Sequence, residues 1–330
     1  MNDVIVLNGL SRSYQTHRKP KGIVGSLKGF FHRDYRTVEA LKPTTLTIPA
    51  GTVVGLVGAN GAGKTTLLKL LSGLIVPSSG RCTVLGHHPW HREHSFLRRI
   101  SILLGQKNQL WWDLPPVDSY RMLAAIYGIT YRAAHARVLE LASLFGCLPM
   151  LETQLRRLSL GERMKMEIIG ALLHEPEILF LDEPTIGLDV VAQESIRNFL
   201  SSYVSSHHPT IILTSHYMDD ISHLASRLLL MSNGALVYDG SVDAFTHQGL
   251  PVQRLLCTLE SPLTAPLVIE GFSPFAPGER LLSFQTSPEK MPELLQRVLQ
   301  SAPVQEIRTE EIDFEEVIRH FLSAEREKQR

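Results

Sequence analysis

A glycine-rich segment near the start of the chain constrains the fold more than any other feature of the sequence. Residues 58–66 read GANGAGKTT and follow the apolar, β-branched run TVVGLV, and the leucines of the next stretch, LLKLLSGL, recur at helical spacing. This order predicts a strand, a tight loop and a helix. Because glycines let successive N–H groups point inward at the positive end of a helix, the segment predicts a polyphosphate site. A glycine-rich turn without a ligand is the alternative.

Within this segment, Lys64 adds a full positive charge to the loop, and Thr65 places a hydroxyl where a loop of this kind needs a Mg²⁺ ligand. The candidate phosphate-binding residues are Gly58, Asn60, Gly61, Gly63, Lys64, Thr65 and Thr66.

A second segment, EPEILFLDEPTIGLD at residues 175–189, brings two carboxylates to the end of a predicted strand. The continuous apolar run Ile178–Leu181 is typical of a buried parallel strand, and Asp182 and Glu183 follow at its carboxyl end. Asp182 suits holding Mg²⁺ through water, and Glu183 suits polarising the water that attacks a γ-phosphate. A solvated strand end before a proline turn is the alternative, which the glycine-rich loop disfavours.

A third segment, RRLSLGERMKMEIIGALLH at residues 156–174, predicts a helix that begins at a serine. Ser159 and Glu162 have the spacing of a capping box, and apolar residues then repeat at helical spacing. Gly161 allows close backbone approach at the helix N-terminus, where free N–H groups favour an anion.

The order of these motifs resembles the ATP-binding subunit of an ABC transporter. The glycine-rich loop, LSLGE, ILFLDE, GLD and the strand-final histidine of TIILTSH follow one another as in that family, over roughly residues 4–240. GQKNQLWWDLP, LSLGERMK and SHYMDD resemble a bacterial subgroup that pairs with separately encoded ABC-2 type permeases, akin to drug-resistance and sodium-export ATPases. The implied fold class is α/β, a P-loop NTPase core with an antiparallel β subdomain, a helical subdomain and a small C-terminal α/β domain.

The resemblance also implies a role for each matched position. ATP and Mg²⁺ are the implied cofactors, and two chains are expected to close head to tail around two ATP molecules, as a homodimer or pseudo-homodimer. The implied catalytic residues are Glu183, His216 and Gln106, and the implied metal-binding residues are Thr65, Gln106 and Asp182. Tyr14 would stack on adenine. The residues that would serve the partner's nucleotide or face the partner are Ser159, Gly161, Glu162 and Asp189.

One motif departs from the family pattern. The usual LSGGQ reads LSLGE, with Leu160 for a glycine and Glu162 for a glutamine. The capping box rationalises Glu162, but a carboxylate near a γ-phosphate is unfavourable. Lowered ATPase activity is therefore an open expectation, whereas nucleotide binding is expected because the glycine-rich loop is intact.

Composition adds expectations about location and partners. The 330 residues carry a formal net charge of +0 and three widely spaced cysteines, which predicts neither a nucleic-acid partner nor a disulfide framework. The first residues lack the pattern of a signal peptide, and no run of eighteen apolar residues occurs. We expect a peripheral ATPase at the cytoplasmic face of the cell membrane, bound to an integral permease.

Residues 18–36 interrupt the predicted antiparallel sheet with six Lys or Arg and one Asp, a formal charge of +5. Leu27, Phe30 and Phe31 give the segment an apolar side, so a basic amphipathic helix at a membrane or permease surface is one interpretation. A loop broken by its glycines is the second, and a nucleic-acid contact is the third.

Two further groups of residues, three histidines and two tryptophans, each have two interpretations. His87, His91 and His94 have near-helical spacing that would suit a metal, although a histidine-rich surface loop also explains them. Trp111 and Trp112 would either anchor a permease contact or be buried in the helical subdomain.

The chain is expected to divide into an ATP-binding domain at 1–240, with a helical subdomain at about 107–175, and an accessory domain at 241–330. The second domain reads as strand LLSFQT, a helix capped by Ser287-Pro288-Glu289, strand VQEIRTE, and a helix opened by Asp313 with Glu316.

Two alternative functions remain, an ATPase of a polysaccharide or lipid-linked glycan exporter and a soluble ABC ATPase that acts on nucleic acid or ribosomes.

Overall fold

A computed structural model describes residues 3–17, 35–105, 108–215, 217–246, 253–312 and 321. By internal contacts the chain divides into two compact units, residues 1–215 with 219–242 and residues 216–218 with 243–330. Among the helices within these described ranges, none combines the length and apolarity that crossing a membrane requires.

The strands, in chain order, are β1 (Asp3–His17), β2 (Tyr35–Pro49), β3 (Val53–Val57), β4 (Ser79–Val84), β5 (Ile100–Leu104), β6 (Ile178–Asp182), β7 (Thr210–Thr214), β8 (Arg227–Ser232), β9 (Ala235–Ser241), β10 (Gln253–Leu259), β11 (Leu281–Thr286) and β12 (Val304–Glu311). The α-helices are α1 (Lys64–Leu71), α2 (His94–Leu97), α3 (Pro116–Tyr127), α4 (Tyr131–Leu144), α5 (Leu160–Leu172), α6 (Val190–His207), α7 (Met218–Leu224), α8 (Val242–Thr246) and α9 (Met291–Ser301).

A six-stranded sheet in the order β5-β6-β7-β3-β8-β9 forms the centre of the first unit. All neighbouring strands in it are parallel except β8 and β9. Every residue of β3 and β7 is buried, as expected for parallel strands covered on both faces. Because ligands bind at the carboxyl ends of such strands, this edge is where the predicted motifs must meet.

An antiparallel sheet in the order β2-β1-β4 packs beside this centre. The pairing of β1 with β2 continues to His17 and Tyr35, so the inserted basic segment lies between two paired strands, as predicted. Residues 18–34 lie outside the described residues, and the interpretations of that segment stay untested. Buried leucines and isoleucines of both sheets and of α1 form one continuous apolar core.

Three helices, α3, α4 and α5, form a helical region between β5 and β6. Their apolar faces pack together, and the hydroxyl of Tyr120 in α3 donates to the backbone oxygen of Met166 in α5 at 2.9 Å. Trp111 and Trp112 precede α3 and are 41% and 42% exposed, so of the two interpretations the buried one is wrong, and the permease contact stays a prediction.

In the second unit, β10 lies between β11 and β12 in an antiparallel sheet whose apolar face packs against α9. The predicted strands LLSFQT and VQEIRTE are confirmed. The predicted cap of the following helix is wrong. Residues 287–290 form a turn closed by the N–H of Lys290 on the oxygen of Ser287, and α9 begins only after it, at Met291. Asp313 and Glu316 lie outside the described residues.

Candidate nucleotide-binding site

The glycine-rich loop joins the carboxyl end of β3 to the N-terminus of α1, which confirms the predicted strand, loop and helix. Two of its glycines are required by close backbone approach. A Cβ on Gly58 would lie 2.3 Å from the carbonyl oxygen of Met231, and one on Gly63, at φ 109°, would lie 2.6 Å from that of Ala40. The loop is therefore wedged between neighbouring strands.

Lys64 is only 5% exposed although it carries a charge. Its ammonium donates to the carbonyl oxygens of Gly58, at 2.5 Å, and Ala59, at 3.3 Å, and so lies across the loop. Asn60 and Gly61 form the exposed tip, and Thr66 is half-buried in the first turn of α1. The positive charge, the loop N–H groups and the positive end of the helix are thus placed together, which suits phosphate oxygens.

Asp182 connects the two strongest motifs. The hydroxyl of Thr65, in α1, donates to its carboxylate at 3.0 Å, and the hydroxyl of Thr214, at the end of β7, donates at 2.8 Å. A hydroxyl and a carboxylate are the hard oxygen ligands that Mg²⁺ prefers, either directly or through its waters. The pair Thr65 and Asp182 therefore fits a magnesium ion, which when bound would offset charge on a nearby phosphate.

Glu183 follows β6 in an uncommon conformation, with φ at 55°, in the left-handed region that non-glycine residues rarely adopt. Its N–H donates to the hydroxyl of Thr214 at 2.9 Å, so the same threonine contacts both adjacent acidic residues. Its side chain is half-buried at the carboxyl edge of the sheet. This backbone conformation places Glu183 directly after the carboxyl end of β6, the edge of the sheet at which ligands bind.

The carboxyl end of β5 lies beside Asp182 and Glu183. The N–H of Gly105 donates to the oxygen of Asp182 at 2.8 Å, and a Cβ on Gly105 would lie 2.5 Å from the oxygen of Glu183. Gln106 follows directly in the sequence, but it lies outside the described residues, as does His216 after β7. Their predicted roles therefore stay predictions.

The LSLGE segment caps α5 as predicted. The N–H of Glu162 donates to the hydroxyl of Ser159 at 3.3 Å, and the N–H of Ser159 donates to the Glu162 carboxylate at 2.8 Å, which completes a capping box. Leu160, the departure from the family pattern, is 44% exposed. The Glu162 carboxylate is thus turned back onto its own helix.

Gly161 and Asp189 bring the LSLGE and GLD motifs together within one chain, which the sequence did not predict. A Cβ on Gly161 would lie 2.7 Å from the Cβ of Ala192 in the first turn of α6. Asp189 caps α6 by accepting the N–H of Ala192 at 2.8 Å. The next two residues, Val190 and Val191, are 73% and 77% exposed, so this corner presents apolar surface.

Tyr14 lies in β1, paired with Val38 of β2, and its side chain is half-buried. The guanidinium of Arg12 lies over its ring, 4.6 Å from the ring centroid. The same guanidinium donates to the oxygen of Val76 at 3.0 Å, which fixes the cation and, with it, the ring. The opposite face of such a ring suits stacking on an adenine.

The histidines of GHHPWHREH do not form a metal centre. His87 pairs with Glu93 at 2.8 Å, and His88 contacts the oxygen of Cys82 at 2.9 Å. Over the part of the chain that the structure describes, no three His, Cys, Asp or Glu side chains are grouped to hold a metal ion.

Two buried carboxylates beside the site escaped sequence reasoning. Glu167, in α5, is 4% exposed and accepts the N–H groups of Gln109 and Leu110, just after the position of Gln106. Asp220, in α7, is 1% exposed and accepts from Thr185, Arg197 and Ser215. Acidic residues on amphipathic helices are usually solvated, so the sequence pattern does not indicate that these two are buried. Asp220 belongs to the segment SHYMDD, which stands out only because it resembles the family.

Comparison with known proteins finds relatives among ABC transporter ATP-binding proteins. A family model described as ABC transporter matches residues 41–186. The chain is 31% identical over 214 residues to the ABC transporter ATP-binding protein NatA of Bacillus subtilis, covering 65% of this chain and 87% of that protein. It is 34% identical to the daunorubicin resistance ATP-binding protein DrrA3 of Streptomyces coeruleorubidus, covering 63% of this chain and 66% of that protein. It is 32% identical to the probable multidrug ABC transporter ATP-binding protein YbhF of Escherichia coli, covering 75% of this chain and 39% of that protein.

Solved structures share the fold. An ATP-binding subunit of an ABC transporter superposes with a TM-score of 0.60 at 22% identity, covering 74% of this chain and 92% of that one. A dimeric ATP-binding cassette bound to ADP and Pi in a post-hydrolysis state superposes with a TM-score of 0.59 at 20% identity, covering 72% and 98%.

Proposed function

Because the chain belongs to the ATP-binding family of ABC transporters, we propose that it is the ATP-hydrolysing subunit that drives a separate ABC-2 type permease in the direction of export. The observation that carries this proposal is the contact of Thr65 with Asp182 at 3.0 Å, which joins the glycine-rich loop to the acidic end of β6. This contact brings together two sequence motifs 117 residues apart and so supports one shared site for a nucleotide and its metal.

Each group at this site has a proposed task in hydrolysis. The loop N–H groups and Lys64 bind the β- and γ-phosphates, and Tyr14 stacks on the adenine. Glu183 polarises the attacking water, and Gln106 and His216 contact the water and the γ-phosphate, as the resemblance implies. Thr65 and Asp182 hold Mg²⁺, whose charge offsets that of the phosphates when it is bound.

The proposed working form is a head-to-tail dimer. The N-terminus of α5, with Ser159 and Gly161, faces the nucleotide of the partner, and Asp189 lies at the contact between protomers. Support comes from the exposed, apolar corner at Val190 and Val191, since such surface favours burial against a partner. ATP would bind the closed dimer better than the open one, and removal of the γ-phosphate would release it.

A groove in the first unit is the proposed docking place of the permease. It encloses about 320 Å³ and is lined by Leu74, Leu97 and Tyr127 together with Arg92, Arg98 and Ile126. Leu74 and Ile126 are 44% and 67% exposed, so apolar surface is available to an amphipathic helix. The proposed location is therefore the cytoplasmic face of the membrane, reached through the permease.

Co-purification tests this function. Glu183→Gln protein, loaded with ATP and Mg²⁺ in native cells and extracted in mild detergent, is expected to bring down a stoichiometric integral membrane protein. Ile126→Asp in the same background is expected to lose that protein and keep ATP binding, whereas Leu144→Asp, at a residue 61% exposed on α4, serves as the matched control. Recovery of ribosomes, nucleic acid or soluble protein alone would contradict the transporter function.

A further inference from the structure

We infer that Asp220 is a positioning residue for ATP hydrolysis, because its buried carboxylate holds the backbone turn that presents Glu183. The inference rests on the proposed role of Glu183 in polarising the attacking water. Asp220 lies in α7 and is not itself expected to contact the nucleotide.

Asp220 joins three segments that are distant in the sequence. Its Oδ2 accepts the hydroxyls of Thr185, at 2.5 Å, and Ser215, at 2.6 Å. Its Oδ1 accepts from the guanidinium of Arg197, in α6, at 3.1 Å. The carboxylate is 1% exposed, so these contacts replace the water that would otherwise solvate its charge. Hydrogen bonds to an ionised acceptor are stronger than neutral ones, which makes the junction rigid.

Both hydroxyl donors are linked to Glu183, one along the chain and one through a neighbouring strand. Thr185 follows it by two residues on the turn between β6 and α6. Ser215 follows Thr214, whose hydroxyl accepts the N–H of Glu183 at 2.9 Å. The turn is therefore fixed at its start by Thr214 and just after Glu183 by Asp220. Its far end is fixed by the cap that Asp189 makes on α6.

The backbone of Glu183 needs this support. Its φ of 55° is disfavoured for a residue with a side chain, and such conformations persist only where surrounding contacts impose them. They occur most often at functional sites. If the hydroxyl contact of Thr185 were lost, the turn would relax toward an ordinary conformation, and the Glu183 carboxylate would move. Displacement of a catalytic group by about 1 Å lowers rates by about 100-fold.

The alternative is that Asp220 serves fold stability alone. Arg197 and Asp220 form a buried ion pair, with side chains 11% and 1% exposed, and removal of one partner leaves the other charge unpaired. Asp220→Asn is therefore an ambiguous variant. Thr185→Val is cleaner, because it removes one hydroxyl donor to the carboxylate and leaves the ion pair with Arg197 in place. Thr185→Ser keeps the hydroxyl and is the conservative partner of that variant.

The experiment compares ATP turnover at saturating ATP with nucleotide affinity and the number of nucleotides bound per chain. Thr185→Val is expected to lower kcat by about tenfold or more, with nucleotide affinity and stoichiometry within about twofold of the original protein. Thr185→Ser is expected to stay within about twofold in kcat. Asp239→Asn breaks a peripheral ion pair with Arg227, at 2.7 Å, and is the control expected to leave turnover unchanged.

Three outcomes would overturn the inference. Thr185→Val with kcat within twofold, while Glu183→Gln abolishes turnover, would refute the role of Asp220 and keep that of Glu183. A fall in kcat matched by a fall in bound nucleotide per chain would assign the contact to fold stability alone. Full turnover in Glu183→Gln would remove the proposed role of Glu183 and this inference with it.

Discussion

Replacement of Glu167 by alanine tests whether the buried carboxylate of α5 holds the chain segment that follows Gln106. The N–H of Gln109 donates to its two oxygens at 3.1 and 3.0 Å, and the N–H of Leu110 donates at 3.3 Å. Leu110 is 4% exposed, so its N–H has no access to bulk water as a substitute. The substitution therefore leaves buried donors without an acceptor.

The magnitude follows from these contacts. A hydrogen bond to a charged acceptor contributes about 1.5–3 kcal/mol, and two backbone donors are involved. Burial of the charge offsets part of this, which leaves an expected loss of about 2–3 kcal/mol in the free energy of unfolding. For a unit of this size each kcal/mol shifts Tm by about 2–4 °C, so we expect a decrease of about 5–10 °C.

The loss should also depend on pH. Burial raises the pKa of the Glu167 carboxyl above its ordinary value of 4.5, and the N–H groups of Gln109 and Leu110 oppose that shift only in part. A carboxyl with a raised pKa binds more protons in the folded state, so its contribution to stability decreases as pH rises from about 4.5 through the folded-state pKa. Glu167→Ala should therefore lower stability more at the acidic end of this window than at pH values above it.

The assay is urea unfolding of both proteins across this pH range, followed by intrinsic tryptophan fluorescence. Glu194→Ala, an exposed position on α6, is the control, and it should change stability by less than about 0.5 kcal/mol. A loss below about 1 kcal/mol for Glu167→Ala, or a loss that grows as pH rises, would refute the reasoning.

Two further predictions concern local geometry. Gly63→Ala should lower stability by about 2 kcal/mol in urea unfolding, since its Cβ would meet the oxygen of Ala40 at 2.6 Å, whereas Gly61→Ala, with nothing within 4 Å, should have a clearly smaller effect. Equal losses of stability in the two variants would contradict this prediction, because they would show that the positive φ, and not the contact of the added Cβ, determines the loss. Ser159→Ala should remove the cap of α5 and lower stability by about 1 kcal/mol, with Ser159→Thr largely preserving it, and an unchanged midpoint for Ser159→Ala would contradict the capping box.

The parts of the site that the sequence predicted depend on local patterns. The glycine-rich loop follows a buried strand and opens a helix, and the capping box of Ser159 and Glu162 needs only a spacing of three residues. The contacts that escaped prediction join distant segments. Thr185 and Asp220 are 35 residues apart, and nothing in the composition of α7 distinguishes a buried aspartate from a solvated one.

One wrong prediction and one open choice between interpretations have different physical causes. Ser287 has the composition of a helix cap, but the turn at 287–290 delays the helix to Met291. The tryptophans at 111 and 112 were equally compatible with burial and exposure, and the helical region leaves them exposed, with the guanidinium of Arg163 4.8 Å from the ring centroid of Trp112. A local turn thus decided where α9 begins, whereas packing between elements decided the exposure of the tryptophans.

The most direct test of the account is the mass of the Glu183→Gln protein in solution, by light scattering after gel filtration, with ATP and Mg²⁺ or with ADP. The expected result is a dimer with two bound ATP molecules and a monomer with ADP, because in the proposed dimer the γ-phosphate joins the loop of one protomer to the LSLGE motif of the other. A protein that stays monomeric with ATP fully bound would contradict it.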